Sequence, residues 1–239
     1  LPEAIPVIIS GMASSKLGLF DLPYAKLPQD LSHPKLQIKQ SQLKNHPLYV
    51  ISGLSTKDDI LRGEETQLIG LHHLLSINTS STVIIPGTHS KHMFCAEGVL
   101  TQFKTYMTGE LFEIISKNSV LSHSVKSENL DKAEILNSVN KIMNKPEVFA
   151  NALFQLRADD LINSKGAVIY RSRLSGYLLA MELIGSLEFW KNNDIILIGN
   201  INLIDLYEDV LINKVSSIQK FTSEEMVLKG LQHFKDKLV

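Results

Sequence analysis

Apolar residues fall along this chain in two rhythms. Short aliphatic runs read as strands: Pro6-Val7-Ile8-Ile9-Ser10, Pro47-Leu48-Tyr49-Val50-Ile51, Thr82–Pro86 and Asp194-Ile195-Ile196-Leu197-Ile198-Gly199. The first and last lack polar alternation, the pattern of strands buried on both faces. Other stretches repeat apolar positions at helical spacing. From Glu64 to Ile77 these are Leu68, Ile69, Leu71, Leu74 and Leu75; from Ser172 to Trp190 they are Leu174, Tyr177, Leu178, Met181, Ile184 and Leu187. Helices are also predicted over Glu128–Met143, over Pro146–Ile162 with proline in the first turn, over Leu203–Ile212, and from Ser223 onward. Thr222-Ser223-Glu224-Glu225 is a capping box that fixes the last start.

His92–Ala96 and Val99–Tyr106 read as a hairpin around Glu97-Gly98, and Ser216–Phe221 as a further strand. Thr108 is placed as the N-cap of a helix whose first turn holds Glu110. The polar stretch Leu27–Lys44, punctuated by Pro28 and Pro34, is expected to be a surface excursion. The class is α/β, with strands and helices intermixed around a helical centre. A junction is expected near Lys57-Asp58-Asp59, dividing the chain into residues 1–60 and 61–239.

Composition narrows the function classes. At 239 residues, 44% hydrophobic and 21% charged, the chain has the make-up of a globular protein with one large or two small domains. A net charge of -1 argues against nucleic acid or an anionic membrane as partner. No apolar run approaches the roughly 20 residues of a membrane span. The single cysteine, Cys95, excludes an intrachain disulfide, fits a reducing cytoplasm, and reads as a buried small residue. The chain opens Leu-Pro-Glu, without the basic n-region of a signal peptide, and enters a strand at once; an upstream piece is expected.

Candidate chemistry gathers between Arg62 and Phe94. Val83-Ile84-Ile85 runs into Pro86-Gly87-Thr88-His89-Ser90-Lys91, a strand ending in a glycine turn. Gly87 permits a tight turn, Thr88 and Ser90 supply hydroxyls, and Lys91 a positive charge. These are the parts of a phosphate cradle, or else of a β-turn with solvated polar groups. Glu64 and Glu65 open a helix, where acids commonly complement the dipole. Adjacent helical positions differ by about 100°, so one acid can also face a cleft. Arg62 is one of only four arginines, with Arg157, Arg171 and Arg173, from which a partner for a substrate carboxylate could come. Gly11 and the serines after the first strand lie where open α/β sheets place ligands. Neither a P-loop nor a Gly-x-Gly-x-x-Gly fingerprint is present. His72, His73, His89 and His92 read as surface and turn residues rather than metal ligands.

Several runs stand in order: Ser10-Gly11-Met12, Arg62-Gly63-Glu64-Glu65-Thr66-Gln67-Leu68-Ile69-Gly70, Pro86–Lys91, Met107-Thr108-Gly109-Glu110-Leu111, Leu153–Ala158 and Leu174–Leu178. Together they resemble the 2-dehydro-3-deoxygalactonokinase family over essentially the whole chain. The resemblance implies a sugar kinase/actin/Hsp70-like (ribonuclease H-like) fold of two lobes. Residues 1–60 would end the sugar-binding lobe and residues 61–239 form the nucleotide-binding lobe.

The implied reaction is transfer of the ATP γ-phosphate, with Mg2+, to the 6-hydroxyl of 2-dehydro-3-deoxy-D-galactonate. The partner would be a small-molecule sugar acid, and a homo-oligomer stays open. Gly87, Thr88, Ser90 and Lys91 would hold phosphate. Ser10, Gly11, Met12, Ser15 and Arg62 would line the sugar site, and Gly199-Asn200 loosely matches the adenosine turn. Related sugar kinases carry Gly-Asp-x-Gln at a helix start. Gly63-Glu64-Glu65-Thr66-Gln67 is similar in position, which makes Glu64 the general base with Glu65 the alternative. The chain departs from the family in lacking its Asp-x-Gly-Thr phosphate loop, expected upstream. The rival readings are a kinase of another sugar acid on the same fold and a non-catalytic binding module.

Overall fold

A computed structural model describes residues 5–77 and 79–238. The first part holds short strands: β1 (Val7–Ile9), β2 (Ala25–Lys26), β3 (Gln29–Asp30), β4 (Ile38–Leu43), β5 (His46–Ile51), β6 (Leu54–Ser55) and β7 (Ile60–Leu61). Helix α1 (Glu64–Leu75) leads into a meander of β8 (Ser81–Ile85), β9 (Ser90–Ala96) and β10 (Val99–Tyr106). Helices α2 (Thr108–Asn118), α3 (Lys132–Asn144), α4 (Phe149–Asn163), α5 (Ala167–Gly185) and α6 (Leu187–Trp190) follow. The chain closes with β11 (Asp194–Gly199), α7 (Ile201–Leu211), β12 (Ser217–Thr222) and α8 (Ser223–Leu238).

The main sheet has six strands in the order β12-β11-β8-β9-β10-β3. Strands β8, β11 and β12 run parallel, while β9 is antiparallel to both β8 and β10. Its central strands are apolar on both faces, and successive side chains enter different cores. Ile84, Ile195 and Leu197 pack with α3, α5 and α7 on one side. Val83, Ile85, Ile196 and Ile198 pack with α1 and α8 on the other. Helices α1 and α8 cross closely at two glycines: a Cβ on Gly70 would lie 2.1 Å from the Met226 carbonyl, and one on Gly230 2.0 Å from that of Thr66.

Two smaller sheets, β1-β5-β4 and β2-β6-β7, complete the first part. Strand β3 joins the edge of the main sheet through Asp30–Val99 and Gln29–Leu100 pairing.

Several expectations need correction. Strand β1 is half-buried; among the described residues its pairing is with β5, at the end of a three-stranded sheet. The expected polar excursion contains β4, antiparallel to β5 from Ile38–Ile51 to Leu43–His46. Both faces of β4 are largely exposed, so backbone pairing rather than apolar alternation defines it. Helix α3 starts at Lys132 instead of near Glu128, because the Asp131 side chain accepts from the Glu134 amide and caps it there. The Ser172–Trp190 helix starts earlier, at Ala167, and is interrupted at Ser186 between α5 and α6. Thr108 is not an N-cap: Met107 holds that place, and the Thr108 hydroxyl turns to Glu182. At the final helix one half of the expected capping box is formed, with the Glu225 amide donating to Thr222 Oγ1 at 3.4 Å. Cys95 is fully buried, and burial pushes its thiol up to about 12.

Candidate active site

Strand β8 ends at Ile85 and β9 begins at Ser90, so residues 86–89 form the turn between two central strands of the main sheet. The N-terminus of α1 reaches the same place. Between them lies a polar cleft of about 470 Å³, lined by Ser10, Arg62, Gly63, Glu64, Gln67, Pro86, Gly87, Thr88 and His89 among others. The turn also borders a second, more apolar cavity of about 340 Å³. Thr108, Phe112, Arg171, Ser175, Leu178, Leu203 and Leu206 line that cavity, with Gly87 and Thr88 as the wall common to both. A larger cavity, about 680 Å³, opens elsewhere beside Lys26, Lys57, Asp59 and Lys104. The candidate chemistry belongs to the two cavities that meet at the glycine turn.

The two acids of α1 separate as helical geometry requires. Glu64 faces the cleft; its Oε2 accepts from the Arg62 amide at 2.8 Å, and its Oε1 lies 3.8 Å from Lys91 Nζ. Glu65 is fully buried, and its Oε2 accepts from the Gly63 amide at 2.7 Å. Burial raises the Glu65 carboxyl to about 7. Both acids therefore satisfy backbone amides at the helix start, and Glu64 keeps an oxygen for the cleft.

The arginines divide in the same way. Arg173 is tied to Glu134 at 2.5 Å and Asp159 at 2.7 Å, and Arg157 to Asp160 at 3.1 Å. Arg62 instead lies at the cleft, with its guanidinium 5.0 Å from the Tyr24 ring centroid and Nη1 3.6 Å from Met12 Sδ. Arg171 lies 4.7 Å from the Phe112 ring in the apolar cavity. The Nε atoms of Arg62 and Arg171 are buried without a hydrogen-bond partner among the described residues.

The turn is held from behind by a buried polar cluster that the sequence did not suggest. Glu182 Oε1 is 2.8 Å from His92 Nε2 and accepts from the Tyr207 hydroxyl at 2.8 Å, while Oε2 accepts from Thr108. The Ser90 hydroxyl is 3.3 Å from that of Tyr207, and the Gly87 amide donates to it at 3.4 Å. Burial, with the Glu182 charge beside it, raises the Tyr207 phenol well above its ordinary value. The Glu110 amide donates to the Thr88 carbonyl at 3.0 Å, docking α2 onto the turn. This approach needs Gly109, whose Cβ would fall 2.6 Å from the Gly87 carbonyl. The available signal was Glu182 itself, a charge inside the apolar stripe of α5. His92 is fully buried, not a surface residue, because strand alternation turns it toward Glu182.

The structure thus brings Ser10, Arg62, Glu64, Gly87 and Thr88 to one cleft. Met12 sits at its rim through Arg62, and Gly11 forms the loop before it. The Ser15 hydroxyl is spent locally on the Met12 carbonyl at 2.8 Å. Ser90 and Lys91 lie behind the turn; Lys91 is buried, rather than mobile, and lines neither cavity. Gly199 ends β11 close to Pro86, while Asn200 caps α7 and accepts from the Asn202 amide at 3.0 Å. Among the described residues, no group of three or more His, Cys, Asp or Glu is placed to hold a metal ion.

The 2-keto-3-deoxy-galactonokinase family profile matches residues 1–234. The chain belongs to that family. It is 32% identical over 238 residues to the probable 2-dehydro-3-deoxygalactonokinase DgoK1 of Rhizobium meliloti (strain 1021), covering 96% of this chain and 78% of the relative. It is 28% identical over 185 residues to the 2-dehydro-3-deoxygalactonokinase of Escherichia coli (strain K12), covering 76% of this chain and 61% of that one. A crystal structure from Sinorhizobium meliloti, provisionally assigned as a 2-dehydro-3-deoxygalactonokinase protein, superposes with a TM-score of 0.90. It shares 30% identity and covers 99% of this chain and 81% of its own. No helix of the described residues is long and apolar enough to cross a membrane.

Proposed function

We propose that this member of the 2-keto-3-deoxy-galactonokinase family transfers the γ-phosphoryl group of ATP to the 6-hydroxyl of 2-dehydro-3-deoxy-D-galactonate. One observation carries the reading: Gly87 and Thr88 form the wall between a polar cleft holding Arg62 and Glu64 and a more apolar cavity of about 340 Å³. Phosphoryl transfer needs that layout, with phosphates at a backbone turn, the acceptor on one side and the nucleotide on the other. Arg62 pairs with the sugar-acid carboxylate, a role suited to a planar guanidinium that lines the cleft. Glu64 takes the proton of the attacking hydroxyl through Oε1, the oxygen not committed to the Arg62 amide. Thr88 and the turn amides hold the phosphoryl oxygens. Mg2+ would arrive on the nucleotide as part of the substrate, where it would neutralise charge on the phosphates.

The strand order supports the ribonuclease H-like reading of the fold. Strands β8, β9 and β10 form an antiparallel meander, and β11 and β12 continue parallel to β8 on its far side. In this reading residues 61–239 form the nucleotide lobe and residues 1–60 the end of the sugar lobe, with β3 carrying the first onto the sheet edge of the second. A steady-state panel of 2-keto-3-deoxy sugar acids and neutral sugars, coupled to ADP release, tests the function. The galacto-configured acid is expected to give the highest kcat/KM. Turnover confined to neutral sugars would remove Arg62 from its role and the substrate class with it.

A further inference from the structure

Lys91 belongs to the glycine turn in sequence, yet its side chain does something else. It is only 5% exposed, lying on β9 between Ile85 of β8 and Thr105 of β10. Its ammonium donates to Thr105 Oγ1 at 3.0 Å and stands 3.8 Å from Glu64 Oε1. The direction of the hydrogen bonds is fixed from the far end. Asp59 accepts from the Thr105 amide at 2.7 Å through Oδ2 and from the Thr105 hydroxyl at 2.7 Å through Oδ1. With its proton given to Asp59, the Thr105 oxygen can only accept from Lys91. One buried cation is therefore anchored to a carboxylate on one side through threonine and faces a second carboxylate, in the cleft, on the other.

We propose that Lys91 is a positioning residue for Glu64, held in place by Thr105 and Asp59, and not a ligand of the transferred phosphate. A cation buried at this depth requires compensation, and the two flanking carboxylates provide it. In return the ammonium draws Glu64 Oε1 to a fixed place. The Arg62 amide fixes the other oxygen at 2.8 Å, so the carboxylate is oriented from two directions. The relay also accounts for the conjunction of Asp59, in the loop before β7, with the end of β10. It rests on the reading of Glu64 as the base.

The test is a kinetic double-mutant cycle on the whole protein, with Thr105→Val as a second route to the same contact. Lys91→Met is expected to lower kcat roughly 10- to 100-fold, the cost of a misplaced catalytic group, while KM for ATP stays within about twofold. Thr105→Val should lower kcat by less, again with KM for ATP unmoved, and it removes no charge. In the Glu64→Gln background, Lys91→Met should cost little further, because its effect passes through the carboxylate already removed. A rise in KM for ATP with kcat retained would make Lys91 a phosphate ligand. Full additivity of the two changes would overturn the positioning role and leave Glu64 as base. Undiminished turnover of Glu64→Gln alone would remove the base and the positioning role together.

Discussion

Replacing Glu64 by Gln keeps the side chain's size and its bond to the Arg62 amide while removing the proton acceptor. Turnover is then expected to fall about 10²–10⁴-fold with substrate binding retained, the usual worth of a general base. Glu65→Gln should lower turnover far less, since its carboxylate lies outside the cleft. Steady-state kinetics of both variants decides the matter: loss confined to Glu65→Gln would transfer the role to the buried acid. Glu65 makes a separate prediction about pH. Its carboxyl is raised from 4.5 to about 7 by burial, so the native state holds a proton that the unfolded chain releases. The resulting stability is fully present below pH 4.5 and lost as pH rises through about 7, about 3 kcal/mol in all. Glu65→Gln should abolish that slope, and chemical denaturation between pH 4 and 8 would show it. Parallel profiles for the two proteins would mean that Glu65 is ionised in the fold throughout.

At the scale of elements, the placement of Glu64 depends on how closely α1 lies against α8. A methyl group at Gly230 would meet the Thr66 carbonyl at 2.0 Å, a backbone atom that cannot swing aside. Gly230→Ala is expected to cost about 1–3 kcal/mol and, by displacing the first turn of α1, to reduce turnover as well. Urea denaturation and kinetics below the transition check this, and a variant as stable as the parent would show that the helices can part freely. Elements were legible where their own residues determine them. The Thr222 cap, the hairpin around Glu97-Gly98 and the apolar run of β11 each carry a local signal. Strand β4 carries none, because it is exposed on both faces and defined by pairing with β5. The Glu182 cluster was illegible for another reason: its members come together only through folding, with Ser90 and Tyr207 117 residues apart.

Across the whole molecule, the candidate site lies at the end of the central strand β8, where the first turn of α1 meets the glycine turn. The sequence placed Arg62, Glu64, Gly87 and Thr88 within one stretch, and they do share a cleft. It could not show that Phe112, Arg171 and Leu206, drawn from three later helices, form a cavity behind the same turn. Thr88→Val tests the two-sided arrangement, because it keeps the shape and removes the hydroxyl from the common wall. It should raise KM for ATP or lower kcat by about tenfold, the order of a charge-assisted hydrogen bond. Unchanged kinetics would leave the backbone amides as the whole of the phosphate site.

A wall with two sides also has a thermodynamic consequence. Any molecule that settles in one cavity presses on residues that the occupant of the other must also touch. If a nucleotide alters the equilibrium affinity for the sugar acid by some factor, the sugar acid must alter that for the nucleotide by the same factor. Titration calorimetry with a non-transferable nucleotide would give that factor from either direction. A value above one would mean that each substrate recruits the other. A value below one would mean that they compete for the posture of two residues, Gly87 and Thr88.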